Sequence, residues 1–215
     1  MPSGRALSRA LAHYVREGEL GIGPRRILEV GPGTGAVTRY IVAAMRPDDR
    51  LALVEHNGEF VARIRERFDT ESEFRAVADR VTIHHAGVED LAEDEPYDVI
   101  VSGLPLNNFS VEFVRDVLAK FERLLAPGGT LSFFEYIAIR RAKALVSGTA
   151  QRARLRSIAA ALDGLLAERE IRRDHVLMNV PPAYVHHLCW KERASICCAV
   201  RCSNHDGTTD TTEER

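Results

Sequence analysis

Three glycines at alternate positions interrupt an apolar stretch: Ile27-Leu28-Glu29-Val30-Gly31-Pro32-Gly33-Thr34-Gly35-Ala36. Glycine takes positive φ without a steric penalty and lets a ligand approach the backbone closely. Where a buried strand passes through such a turn into a helix, the free N–H groups of the helix start lie beside it. A ligand is then expected across the carboxyl end of that strand. Gly31, Gly33 and Ala36 fit the G-x-G-x-x-G/A pattern of dinucleotide sites. Glu29, two residues before the first glycine, argues the other way, because a pyrophosphate would repel it. The second apolar run ends Leu53-Val54-Glu55-His56-Asn57. An acid at that strand tip suits paired hydrogen bonds to ribose hydroxyls, whichever nucleoside is bound. The third run ends Ala86-Gly87-Val88-Glu89-Asp90, and the fourth ends Val101-Ser102-Gly103-Leu104-Pro105. The latter is a chain reversal at a strand's carboxyl end, where ligands of such sheets bind.

Short apolar runs, turns and amphipathic helices alternate in the segment that carries these groups. The runs Arg26–Val30, Leu51–Glu55, Val81–Ala86, Tyr97–Gly103 and Thr130–Ile137 are continuous hydrophobics of the kind buried on both faces of a parallel sheet. Helices are predicted between them. Ala36–Met45 is one. Gly58–Phe68 places Phe60, Val61, Ile64 and Phe68 on one face. Val111–Leu125 has Phe113, Val114, Val117, Leu118 and Phe121 inward and is stopped by Pro127-Gly128-Gly129. Right-handed crossovers then give an α/β, doubly wound, Rossmann-like sheet. Ala142–Glu170 reads as one long helical region, with Leu155, Ile158, Leu162, Leu165 and Leu166 inward. Two late strands near His175–Val180 and Ser195–Arg201 complete a mainly parallel sheet of seven strands as a hairpin-like edge. An N-terminal helix over Pro2–Val15 carries Leu7, Leu11 and Val15 at helical spacing. The expected organisation is an N-terminal helical segment (1–20), one catalytic-size domain (21–202) and a polar, disordered tail (203–215).

Composition narrows the partners. The chain has 215 residues, 45% hydrophobic and 28% charged, with 29 basic and 31 acidic side chains. Four of those acids and one Arg lie in 203–215, so the body is near neutral. A dedicated nucleic-acid binder would be strongly basic. The longest stretch free of charged side chains, His175–Trp190, is shorter than the roughly 20 residues of a spanning helix. Cys189, Cys197, Cys198 and Cys202 lack C-x-x-C spacing and read as reduced core thiols of a cytosolic protein. No His/Cys/Asp cluster has convincing metal-ligand spacing.

The string acid-x-Gly-x-Gly-x-Gly, from Glu29 to Gly35, resembles motif I of the S-adenosylmethionine-dependent methyltransferases. The resemblance implies that Glu29 serves the cationic amino-acid end of the cofactor, with Gly31, Pro32, Gly33, Thr34 and Gly35 around it and Glu55 and His56 at the ribose. It assigns adenine to the Gly87 turn. Many members have Asp directly after that glycine; Val88 stands there here, which leaves Glu89 or Asp90 for the role. The resemblance also brings the methyl acceptor to Ser102-Gly103-Leu104-Pro105. In rRNA adenine N6-dimethyltransferases the matching turn is Asn-(Leu/Ile)-Pro-Tyr. Ser102 and Leu106 replace that Asn and Tyr, so the base-stacking platform is lost.

As a whole, residues 2–201 resemble the bacterial phospholipid N-methyltransferases that act on phosphatidylethanolamine, and the related ornithine-lipid N-methyltransferases. The matching stretches are Pro2–Arg9, Glu29–Thr38, Val101–Phe109, Pro127-Gly128-Gly129 and Asn179-Val180-Pro181-Pro182-Ala183. Family members usually carry a membrane-surface helix ahead of the Pro-Ser segment, whereas Met1 directly precedes Pro2 here. The resemblance implies a class I enzyme moving methyl from S-adenosylmethionine to a lipid amine, once or successively, at the cytoplasmic face of an anionic membrane. No nucleic-acid partner is expected, and no protein partner is predictable. A small-molecule amine methyltransferase and an rRNA adenine methyltransferase are the alternatives.

Two basic stretches fit a lipid headgroup. Arg5, Arg9 and Arg16 fall in an acid-free N-terminus, and Arg140, Arg141, Lys143, Arg152, Arg154 and Arg156 in an acid-free span after strand five. Tyr136, Arg140 and Tyr184 are expected around the headgroup, the aromatic faces attracting the ammonium. His186 and His187 are candidate proton acceptors. Leu7, Leu11 and Val15 are expected to meet the bilayer.

Overall fold

A computed structural model describes residues 4–17, 23–136, 158 and 162–190. Seven strands form one sheet: β1 Arg26–Val30, β2 Arg50–Glu55, β3 Val81–His85, β4 Tyr97–Ser102, β5 Leu125–Tyr136, β6 Glu170–Val176 and β7 Ala183–Cys189. Their order is β3-β2-β1-β4-β5-β7-β6. Strands β1 to β5 pair in parallel, and β7 runs antiparallel to both β5 and β6. The order reverses at β1 and β4, which puts their carboxyl ends at the point where such sheets bind ligands.

Both faces of the sheet are covered. One face packs Leu28, Val30, Ile100 and Phe133 against α6 (Val111–Leu124) and the helical residues 162–169. The other packs Ile27, Val99, Val101 and Phe134 against α1 (Arg5–Leu11), α2 (His13–Glu17), α3 (Thr38–Val42), α4 (Gly58–Thr70) and α5 (Ser72–Arg75). Adjacent strand residues point to opposite faces, so the two sets alternate along each strand. Asn57 caps α4 by accepting from the Glu59 and Phe60 N–H groups, and Ser110 caps α6 by accepting from Phe113 N–H. A buried pair locks the entry to β1. Arg25 Nη2 lies 2.6 Å from Asp49 Oδ2, and its Nη1 donates to Val15 O at 2.9 Å.

Several expectations are corrected. The N-terminal helix breaks at Ala12 into α1 and α2, and its apolar stripe is used up internally. Leu7, Leu11 and Val15 are at most 1% exposed, packed on the sheet, so they do not meet a bilayer. The helix after the glycine loop is only Thr38–Val42. Phe60 stands in the first turn of α4, beside the buried stripe of Val61, Ile64 and Phe68, and is 39% exposed. The late strands are Glu170–Val176 and Ala183–Cys189, a hairpin as expected but earlier in the chain. The outer strand β6 carries Arg172 and Arg173, side chains that protect a sheet edge and read as a continuing polar helix. The span 195–201 lies outside the described residues, as does most of 142–161. No helix among the described residues is long and apolar enough to cross a membrane.

Candidate active site

Gly31, Gly33 and Gly35 all adopt positive φ (70°, 56° and 79°), a conformation that side-chained residues rarely hold. Gly31 N–H donates to Val54 O at 2.9 Å, tying the loop to the tip of β2. There Glu55 reaches back. One of its oxygens accepts from Gly33 N–H (3.1 Å) and the other from Asn57 N–H (2.8 Å). The far side of the loop is held by Arg67 of α4, whose Nη1 donates to Thr34 O at 2.8 Å and Gly35 O at 2.7 Å. Arg67 is itself fixed by Glu71 (2.7 and 2.9 Å) and lies over the Phe74 ring at 4.2 Å. Its hydrogen bonds are the main cause of Glu71's low pKa, about 2.

Beneath this loop Glu29 is 1% exposed, and neither carboxylate oxygen has a hydrogen-bond partner. Burial pushes its carboxyl up to about 8, with the neighbouring Glu55 adding to the rise and Thr38 and Arg67 opposing it. The Thr38 hydroxyl, also buried, faces this carboxyl without closing to a full hydrogen bond. An acid in this state is expensive to hold, and such costs cluster where a ligand relieves them. A cationic ammonium fits these oxygens; a pyrophosphate does not.

The Ser102–Pro105 turn touches the loop directly. Gly103 N–H donates to Val30 O at 2.8 Å. A Cβ on Gly103 would come within 2.5 Å of Gly31 O, and one on Gly31 within 2.9 Å of the Leu104 side chain. Only paired glycines allow this approach. Ser102 is fully buried, and its Oγ accepts from Leu104 N–H at 3.3 Å, so the hydroxyl shapes the turn. Pro105 leads into a 3-10 turn, Leu106–Asn108, followed by Phe109, whose ring lies 4.8 Å from that of Phe113.

The remaining candidates are distributed unevenly. His56 lies at the tip of β2, its carbonyl 3.1 Å from His85 Nε2. Gly87 precedes a 3-10 turn, Val88–Asp90, in which Val88 is packed into the core. Glu89 is exposed, and its carboxylate crowds Gly87. Arg140, Arg141, Lys143, Arg152, Arg154 and Arg156 lie outside the described residues. Tyr136 and Tyr184 do not share a pocket. Tyr136 pairs with Ala183 and Tyr184 with Glu135, so their side chains leave opposite faces of the sheet. The expectation that both enclose one headgroup is corrected accordingly.

The two histidines also part. Ser102, Phe133 and His186 are register partners on neighbouring strands and share one face. His186 stacks on Phe133 at 5.2 Å, holds Glu170 Oε1 at 2.6 Å through Nδ1, and leaves Nε2 without a hydrogen bond, 3.8 Å from Glu135. His187 points the other way, between Ser132 Oγ (2.8 Å) and Asp174 (3.4 Å) under Tyr14. Ser132 and His187 are wholly buried, while Asp174 reaches the surface beside Arg172. Burial is the main influence lowering the pKa of both rings.

The seven-stranded topology and the three left-handed glycines define a Rossmann-like fold of the kind found in class I methyltransferases. Residues 27–129 match the family described as a methyltransferase domain. The fold is shared with the S-adenosylmethionine complex of the O-methyltransferase TomG from Streptomyces achromogenes. The TM-score is 0.60 at 17% identity, over 86% of this chain and 79% of that one. Cofactor-bound Rv0187 from MTB matches with TM-score 0.58 at 17% identity, over 86% and 80%. In sequence the chain is similar to an ornithine lipid N-methyltransferase of Singulisphaera acidiphila, 33% identical over 113 residues. That match takes in 50% of this chain and 56% of the relative, so the chain spans little more than half the relative's length.

Proposed function

We propose that this protein is an S-adenosylmethionine-dependent methyltransferase acting on the amine headgroup of a membrane lipid, a phosphatidylethanolamine or an ornithine lipid, adding one or more methyls at the cytoplasmic face. The observation that carries the reading is the backbone contact between the glycine loop and the Ser102–Pro105 turn. This contact supports reading the turn's carbonyls as the amine-holding groups beside the cofactor loop. The ornithine lipid N-methyltransferase relative supports the choice of substrate class.

Bound S-adenosylmethionine supplies an electrophilic methyl on a sulfonium. This chain's residues would hold and orient it: Glu29 would face its ammonium, the Gly31–Gly35 backbone would lie against it, and Glu55, now bonded to Gly33 N–H, would take its ribose hydroxyls. The Ser102–Pro105 carbonyls orient the acceptor, and shielding from water keeps its nitrogen neutral, since burial disfavours the charged amine. His186, its Nε2 buried and uncommitted on the Ser102 face, would accept the departing proton once the bound acceptor opens that side of the pocket. Radiolabelled methyl transfer tests the substrate. Label in phosphatidylethanolamine or ornithine lipid supports the proposal; label only in free ethanolamine or ornithine, or none, contradicts it.

A further inference from the structure

Among the described residues, four large apolar side chains are exposed, and three of them fall in one turn. Leu177, Met178 and Val180, between β6 and β7, are 68%, 90% and 83% exposed. The turn is held in place. Asn179 is buried, accepts from Gly4 N–H at 3.2 Å and donates to Pro181 O at 2.7 Å, which pins the turn to the start of α1. Pinning its polar residue inward leaves its apolar residues facing outward. The Asn-Val-Pro-Pro-Ala string thus has a structural role that its composition alone did not disclose.

Topology places this turn. Tyr136, at the carboxyl end of β5, pairs with Ala183, and Val176 pairs with the same residue. The turn therefore projects from the edge of the sheet that carries the glycine loop and the acceptor turn. A groove of about 750 Å³ runs from Leu177 and Met178 to α1. Arg5 and Arg9 line it, both exposed and without an ionic partner among the described residues. Arg172 and Asp174 in the same groove neutralise each other at 2.8 Å. Arg5 also lines the smaller cavity at Thr34 and Gly35, so the cationic strip is continuous with the cofactor loop.

The structure assigns this edge as a docking surface for an anionic lipid bilayer. Leu177, Met178 and Val180 enter the boundary between headgroups and acyl chains, and Arg5 and Arg9 meet the lipid phosphates. The two features fit one partner. Apolar side chains flanked on one side by uncompensated cations suit a surface that is negative outside and hydrocarbon within. The inference rests on the lipid-substrate reading for its purpose and replaces the Leu7–Leu11–Val15 stripe as the membrane contact. Docking here sets the mouth of the site on the bilayer, so the acceptor headgroup need not leave the membrane.

Co-sedimentation with phosphatidylcholine vesicles, with and without phosphatidylglycerol, tests it. Wild-type protein is expected to bind the anionic vesicles and not the neutral ones. Leu177→Asp with Met178→Asp should weaken partitioning about tenfold for each side chain lost. Arg9→Ala should weaken it about fivefold. Both variants should retain wild-type S-adenosylmethionine affinity by calorimetry, which verifies the fold. Equal binding to neutral vesicles, no binding by wild type, or unchanged binding by either variant overturns the assignment. So does a change in self-association, by sedimentation velocity, without a change in vesicle binding. Methyl transfer to the same lipids in detergent micelles keeps the two claims apart. Its failure counts against the substrate, whereas loss confined to vesicles in the tip variant supports the docking surface.

Discussion

Cofactor affinity should depend on pH through Glu29. The ligand-free carboxyl titrates near 8 because it is buried without a partner. An ammonium against its oxygens favours the charged form and returns the pKa toward the ordinary carboxylate range. Binding near neutral pH therefore expels a proton. At pH 7 about nine-tenths of the free protein carries that proton, so roughly 0.9 proton is released per ligand bound. Affinity should rise close to tenfold from pH 6 to 7 and level off above 8. Isothermal titration with S-adenosylmethionine, in phosphate and in Tris, reads both the affinity and the proton release. Glu29→Gln should abolish the pH dependence and weaken binding at pH 7.5 by about 10- to 100-fold, the worth of a charged hydrogen bond. Ligand-free stability carries the same signature. The unfolded chain loses this proton near pH 4.5 and the folded chain only near 8, so stability should decline as pH rises across that window. A flat affinity between pH 6 and 7.5, with heats independent of buffer, would refute the reasoning.

Four further outcomes are expected. Arg67→Ala frees the Thr34 and Gly35 carbonyls and should weaken S-adenosylmethionine about tenfold by calorimetry; Arg67→Lys, lacking the fork, should not restore it. Gly103→Ala drives a methyl into Gly31 O and should remove cofactor binding and methyl transfer together, measured on the same preparation. Arg25→Ala leaves Asp49 charged and unpaired in the interior. It should cost about 3–5 kcal/mol in denaturant unfolding and lower the melting temperature by about 10 °C. His186→Gln should lower kcat by about 100-fold with KM little changed and abolish the acid limb of the pH profile; an unaltered limb would make the ring structural.

The glycine loop and the first five strands were legible because each is a local signal. Continuous apolar runs mark buried parallel strands, and alternate glycines mark the left-handed turn. Glu55 was legible for the same reason, standing at a strand tip. Groups that depend on register or on distant contacts were not. Arg67 reaches Gly35 across 32 residues of chain, and on α4 it reads as one more solvated Arg. Tyr136 and Tyr184 looked alike until the antiparallel register set them on opposite faces. The same register brought His186 to Ser102 and buried His187 with Ser132. In α1 and α2 the apolar stripe was visible, but not the sheet it covers. The strand Glu170–Val176 was missed because a charged edge strand lacks the run of hydrophobics that betrays an inner one.

Mass spectrometry of lipids incubated with the protein and isotopically labelled S-adenosylmethionine addresses the substrate most directly. The account predicts labelled methyl groups, added stepwise, on the amine of one phospholipid or ornithine-lipid class. Cofactor turnover with the label wholly in water-soluble amines or in RNA would contradict it.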